Sequence, residues 1–292
     1  MDPFVSKVGV VTGAARGIGY NVAKELVARG AYVVIGDLLD KQGEAAAKEF
    51  NDRAGKQVAV YLHTDVTKYK DLIALFALAE KTFGSVDIAV LNAGITGPTA
   101  CGIFTPLDDE KDMFIHEVNM GGVIKGDKVA ILHMAKHGRG GVIVNTASMA
   151  GVTPSSYIAS YCASKHAVVG WTRSLSHLKH VCNVRVNAVC PAVCPTEIND
   201  NVESQSASEF LKSSPQVPME VVVQTFMRCI EDTRLSGDIL LALPDGTHVQ
   251  PKYIPPASSI SKEFLEKLPQ IRKSGNMNDK ESLAQAIKNA KL

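Results

Sequence analysis

The stretch YCASKHAVVGW (161–171) sets a phenol and an ammonium four positions apart, with only small or short side chains between them. On a helix, Tyr161 and Lys165 lie one turn apart on the same face. The chemistry open to such a pair is proton transfer. A free tyrosine titrates near pH ~10, so ionising it at neutral pH costs roughly 4 kcal/mol, and a nearby cation lowers that cost. A phenol so placed could take a proton from a hydroxyl or return one to a carbonyl oxygen. An ordinary surface pair has the same spacing, so the choice rests on the rest of the chain.

A second candidate lies near the start. TGAARGIG (12–19) joins an apolar run to a helical pattern. Gly13, Gly17 and Gly19, with Arg16 and Ile18 among them, would let the backbone approach a pyrophosphate. The following helix N-terminus would offer free N–H groups and a positive dipole end. Asp37 ends the next apolar run, where a carboxylate can accept hydrogen bonds from a ribose diol. The same charge repels a 2′-phosphate, so Asp37 favours NAD over NADP. Arg16 pulls weakly the other way, as an exposed cation returns less than a carboxylate set against a phosphate costs. Asp37 could instead cap the next helix.

The elements that must hold these groups alternate. Strand patterns at 7–13, 31–37, 57–65, 86–94, 141–148, 183–189 and 237–243 are too apolar to face water. Helical patterns lie between them, including one long helix over about 111–137 and a last one around 219–232. The pattern predicts an α/β fold: a single Rossmann-type, doubly wound parallel sheet of about seven strands with helices on both faces. Residues 1–255 are expected to form one dinucleotide-binding and catalytic domain. The proline- and serine-rich stretch 191–218 reads as a mobile loop, and 244–277 as an extended tail. The C-terminal extension (256–292) would end in a short helix capped by Asn278 or Asp279.

Bulk numbers exclude other classes. The chain has 292 residues and a net charge of +1, without the basic excess of a nucleic-acid or membrane-surface binder. No apolar run reaches the length a bilayer requires. An apolar strand begins within a few residues of Met1, which leaves no room for a signal or transit peptide. The six cysteines (101, 162, 182, 190, 194, 229) lack metal-ligand spacing, and reduced thiols and no metal are expected. CPAVC (190–194) has a redox-like spacing in a proline-rich setting.

Taken in order, TGAARGIG, HTDVT, LNAG, VNMGG, NTASMAG, YCASK and VRVNAVCPAV resemble the short-chain dehydrogenase/reductase superfamily from about residue 5 to 245. YCASKHAVVGWTRS, VRVNAVCPA and IEDTRLSGDILLALPDGTHVQPKY are most similar to NAD-dependent hydroxyprostaglandin dehydrogenase-like members. The resemblance implies a catalytic set of Asn119, Ser148, Tyr161 and Lys165. Tyr161 would be the acid/base, helped by Lys165, which would also grip the nicotinamide ribose. Ser148 would hold the substrate oxygen, and Asn119 a water connecting Lys165 to solvent. It also assigns cofactor contacts to Asp65 and Val66, to Asn92, Ala93 and Gly94, and to Val193 and Thr196. Met149, Tyr157 and the 191–218 loop would line the substrate site with Ser148 and Tyr161. Leu91 and Ala192 depart from the common asparagine and glycine, and the methyl at 192 changes the expected carboxamide pocket.

The implied activity is NAD-dependent interconversion of a secondary alcohol and a ketone on an apolar, lipid-, steroid- or polyketide-like molecule. Two alternatives keep the same fold: an NADPH-dependent ketoreductase of secondary metabolism, and a silent NAD-binding scaffold. The resemblance further implies a homodimer or homotetramer built on the 111–137 and Tyr161 helices. The final Ala290-Lys291-Leu292 is a near relative of the S-K-L peroxisomal address, which makes an import receptor a further expected partner. Peroxisome is the expected location, with cytoplasm as the alternative.

Overall fold

The computed structural model describes residues 2–96, 107–197, 205–253 and 256–290. Its centre is β1 (Val8–Thr12), five consecutive buried residues. β2 (Tyr32–Asp37), β4 (Ile88–Leu91), β5 (Gly141–Thr146) and β6 (Val184–Pro191) are equally enclosed or nearly so, as strands covered on both faces must be. With β3 (Ala59–His63), β7 (Ile239–Leu243) and β8 (Gly246–Val249) they form one eight-stranded sheet in the order β3-β2-β1-β4-β5-β6-β7-β8. Every pairing is parallel except β7–β8.

The helices divide between the two faces. α1 (Gly17–Ala28), α2 (Asp40–Ala54) and α9 (Met219–Glu231) cover one face, burying Leu26, Phe50 and Phe226. α3 (Tyr69–Phe83), α5 (Gly122–Lys136), α6 (Ala159–Ser174) and α7 (Leu178–Cys182) cover the other, around Phe76, Met134 and Val168. Each such large side chain removed from water contributes roughly 1.5–3 kcal/mol. β1 pairs with β2 on one side and β4 on the other, so the chain order reverses there and a crevice opens at the strands' carboxyl ends.

The structure departs from the sequence expectation in four places. The eighth strand lies in the stretch expected to be an extended tail. Leu243 pairs with Gly246, so Pro244 and Asp245 make the two-residue turn. The long helix starts at Asp108, whose side chain accepts the Lys111 N–H. It comprises α4 (Asp109–His116), a π-helical turn (Glu117–Gly121) and α5. The expected short terminal helix is instead the 28-residue α10 (Lys262–Asn289), capped by the Ser261 side chain and running through Pro269. Proline and serine there give the pattern of a linker, but they lie on an exposed helix with no buried side chain. Within 191–218, α8 (Gln205–Ser213) is helical, and 198–204 lie outside the described residues.

Candidate active site

The sheet ends its ladder at the catalytic candidates. β5 stops at Thr146, Ala147 N–H still donates to Val189 O at 2.8 Å, and Ser148 then turns the chain into a short 3-10 turn, Met149–Gly151. Ser148 Oγ accepts from Ala150 N–H at 3.1 Å, which leaves its own hydrogen for Tyr161, with which it hydrogen-bonds. Tyr161 and Lys165 lie on the first turns of α6; Tyr161 is half-buried and Lys165 enclosed. Lys165 is 3% exposed.

The electrostatics differ from the simple expectation that the lysine controls the tyrosine. Burial drives the Tyr161 phenol up to about 12, and the Ser148 hydroxyl pulls it down. Lys165 Nζ lies 5.7 Å from the centre of the Tyr161 ring and donates to Thr146 O at 2.9 Å. Burial lowers Lys165 to about 8, so its ammonium is already costly to keep. Cys190 lies beside the pair. Burial pushes its thiol up to about 12, although the Ser148 N–H and Lys165 act downward. Cys190 and Cys194 are both buried and no disulfide joins them across CPAVC, and Cys101 lies outside the described residues.

Asn119 sits in the π-helical turn and is fully buried. Its Nδ2 donates to Ile95 O at 2.8 Å and to Ser164 Oγ at 3.1 Å, while Oδ1 accepts Ile95 N–H at 2.8 Å. The hydrogen bonds of this amide fasten the loop after β4. Ser164 Oγ passes the connection on to Tyr161 O at 2.7 Å. A Cβ on Gly94 would lie 3.1 Å from Asn119 Oδ1 and 3.4 Å from Lys165 Nζ, so all three meet at one point.

The nucleotide loop meets the same place from the other side of the crevice. Gly13 has φ +63°, and a Cβ there would stand 2.7 Å from Ala93 Cα. Asn92 Nδ2 donates to Thr12 O (3.2 Å) and Gly13 O (2.9 Å), and its Oδ1 accepts the Thr146 hydroxyl at 3.2 Å. Thr146 thus links Lys165 to the glycine loop. It was missed in the sequence, although it lies two residues before Ser148 in NTAS. Asp37 Oδ2 accepts Ala15 N–H at 2.9 Å and Oδ1 accepts Leu39 N–H at 3.1 Å, so the carboxylate anchors the loop itself. It does not cap α2 in the usual way, since the N-cap there is Leu39.

Asp65 lies just past the end of β3. Burial acts upward on it, but Lys68 and Thr67 outweigh that and hold it at about 2. Val66 is buried against Gly122, where a Cβ would come within 2.8 Å of it. Thr196 returns to the glycine loop, with Cγ2 3.7 Å from where a Gly17 Cβ would stand, and Val193 O accepts Val217 N–H. Arg16 is the exposed N-cap of α1, with Ile18 half-buried behind it. Met149 is half-buried, while Tyr157 is 56% exposed on a second 3-10 turn, Ser156–Ile158.

This crevice fits a dinucleotide. No side chain caps α1 and no acid lies in its first turn, so its N–H groups remain for an anion. Asp37 stands where a ribose would lie. A family model described as short chain dehydrogenase matches residues 7–207. The chain belongs to the short-chain dehydrogenase family.

Several members are similar to it. Human 15-hydroxyprostaglandin dehydrogenase [NAD(+)] is 30% identical over 84% of this chain and 94% of its own. Trans-4-hydroxycyclohexanecarboxylate dehydrogenase of Sinomonas cyclohexanicum is 37% identical over 67% and 75%. Among solved structures, a Burkholderia phymatum short chain dehydrogenase/reductase in complex with NAD has a TM-score of 0.73 at 28% identity. It covers 84% of this chain and 92% of that one. A Brucella melitensis 3-ketoacyl-(acyl-carrier-protein) reductase complexed with NADH gives the same TM-score and identity over 82% and 98%. No described helix is long and apolar enough to cross a membrane.

Proposed function

We propose that the protein is an NAD-dependent oxidoreductase that interconverts a secondary alcohol and a ketone on an apolar substrate. The observation that carries this is the meeting of Ser148, Tyr161, Lys165 and Asn119 beside the glycine loop, at the carboxyl edge of the sheet. Bound NAD supplies the hydride acceptor. Tyr161 takes the hydroxyl proton of the substrate in the oxidative direction and returns it in reduction. Ser148, whose hydroxyl already faces the phenol, holds the reacting oxygen. Lys165 sits within reach of both the phenol and the Asn92–Gly94 loop, and its ammonium favours the phenolate and the cofactor ribose. Asn119 keeps that loop in place.

The prostaglandin and hydroxycyclohexanecarboxylate dehydrogenases among the relatives favour oxidation of a ring- or chain-borne secondary alcohol. The ketoacyl reductase complexed with NADH favours the reverse direction on the same site. Replacing Tyr161 with Phe decides whether the site is catalytic. NAD binding by calorimetry should be unchanged, while turnover of secondary alcohols, followed through absorbance of the reduced cofactor, should fall by about 10²–10⁴-fold. Turnover that survived would contradict the mechanism. We also propose a two-fold assembly through α5 and α6, and import through the terminal Ala-Lys-Leu; Lys291 and Leu292 lie outside the described residues.

A further inference from the structure

Eight residues past Asn119, the carboxyl group of Asp127 is completely enclosed. Its Oδ2 accepts the Trp171 Nε1–H at 2.6 Å and the Asn145 Nδ2–H at 3.1 Å. The same Asn145 nitrogen gives its other hydrogen to Thr172 Oγ1 at 3.1 Å. Two buried oxygens then have no donor: Asp127 Oδ1 and Asn145 Oδ1. They are the second oxygens of two groups already joined by one hydrogen bond.

A carboxylic acid and a primary amide close a cyclic pair when the acid's O–H donates to the amide oxygen. An ionised carboxylate has no hydrogen to give and leaves both oxygens stranded. Turning the amide over does not remove the need, since it would set the Asn145 oxygen against Asp127 Oδ2 with no hydrogen between them. Burial works in the same direction, holding the carboxyl up at about 7 against the pull of Trp171 and Asn145. Every other described carboxyl group with a displaced titration is held low instead.

The titratable side chains on the three elements around it are engaged elsewhere. On α5, Lys125 donates to Thr67 O, Lys128 lies over the Tyr69 ring, and His133 and Lys136 pair with Glu80. β5 carries none. On α6, Lys165 is bound to Thr146 O, His166 to Cys162 O, and Arg173 to Pro251 O. Tyr161 faces Ser148, and the Cys162 sulfur bonds Ser155 O.

We propose that Asp127 is a neutral carboxylic acid in the folded protein, and that its proton closes a clamp joining α5, β5 and α6. These are the elements that lead to Asn119, Ser148, and the Tyr161–Lys165 pair, so Asp127 is a positioning residue for the site. The clamp stands whether or not the catalytic assignment does; only its consequence for turnover rests on that assignment. Ionisation releases the proton to solvent and removes the donor. The unfolded chain loses this proton near pH ~4. Between there and about 7 the folded protein holds the extra proton, so stability falls as pH rises through that window.

Trp171 is the only tryptophan in the chain and touches the carboxyl directly, so its fluorescence reports the event. In the full-length protein, emission should titrate in the neutral range, and Asp127→Asn should abolish that titration. Asp127→Asn keeps an amide in the pair and should hold turnover within about threefold of wild type, whereas Asp127→Ala should lower it at least tenfold. An identical emission titration in Asp127→Asn would overturn the proposal. Infrared spectroscopy of the wild type decides even if a variant fails to fold. A protonated-carboxyl band that persists above pH ~5 and bleaches near neutrality supports the clamp, and its absence overturns it. Survival of turnover in Tyr161→Phe would strike the catalytic assignment and leave the infrared band untouched.

Discussion

At the scale of single residues, spacing put Tyr161 and Lys165 on one face, while burial decides how they titrate. Moving the phenol from its ordinary value to about 12 adds on the order of 3 kcal/mol to the cost of ionising it. The lysine, lowered to about 8, offsets little of that while it donates to Thr146 O. The protein's own downward influence on the phenol is the Ser148 hydroxyl. Asp37 is the other residue whose charge does work. Its two oxygens take the Ala15 and Leu39 N–H groups, which keeps a negative charge at the ribose end of the crevice. Asp37→Ser should therefore move the NADP:NAD ratio of kcat/KM toward NADP by on the order of tenfold, or about 1.4 kcal/mol. An unchanged ratio in steady-state assays would end the argument for charge-based selection.

At the scale of elements, the site exists because loops from separate strands approach more closely than side chains allow. A Cβ on Gly19 would stand 2.3 Å from Gly13 O and 2.6 Å from Asn92 Nδ2, so α1 and the loop after β4 share that space. Gly19→Ala should cost about 1–3 kcal/mol by overpacking and weaken NAD binding as well. Gly55→Ala is the control. Gly55 ends α2 at φ +65° with nothing within 4 Å, so only the left-handed backbone is penalised, at about 1–2 kcal/mol. Thermal melts with calorimetry separate the two: both should melt earlier, and only Gly19→Ala should lose NAD affinity. Equal affinity in both would show that the close approach is not needed for binding. The π-helical turn belongs at this scale too. It carries Asn119, with its amide committed to Ile95 and Ser164, between two regular helical segments.

At the scale of the whole molecule, α10 is held to the sheet domain by one end. It meets α7 and α5 mainly through its second half, where Leu283 packs on the core and His177 lies 3.3 Å from Asp279. Phe264, Leu265 and Ile271 in its first half are exposed. Removing residues 290–292 should abolish organellar import of a fluorescently tagged full chain without changing NAD binding, and undiminished import would rule the address out. Light scattering at micromolar concentration tests the two-fold assembly, which monomer alone would contradict.

The sequence by itself determined the alternation of strands and helices, because strands covered on both sides must be apolar. It also determined the positions of the glycine loop, Asp37 and the Tyr161–Lys165 pair, because these depend on local spacing and motif order. Only the tertiary structure decided that Lys165 rests on Thr146, that Asn119 fastens Ile95, and that Asp127 meets Asn145 and Trp171 out of water. The length of α10 was not legible either, since proline and serine inside an exposed helix mimic a linker. Burial and the partners of a buried polar group arise from contacts far apart in the chain, and no local pattern of residues encodes them.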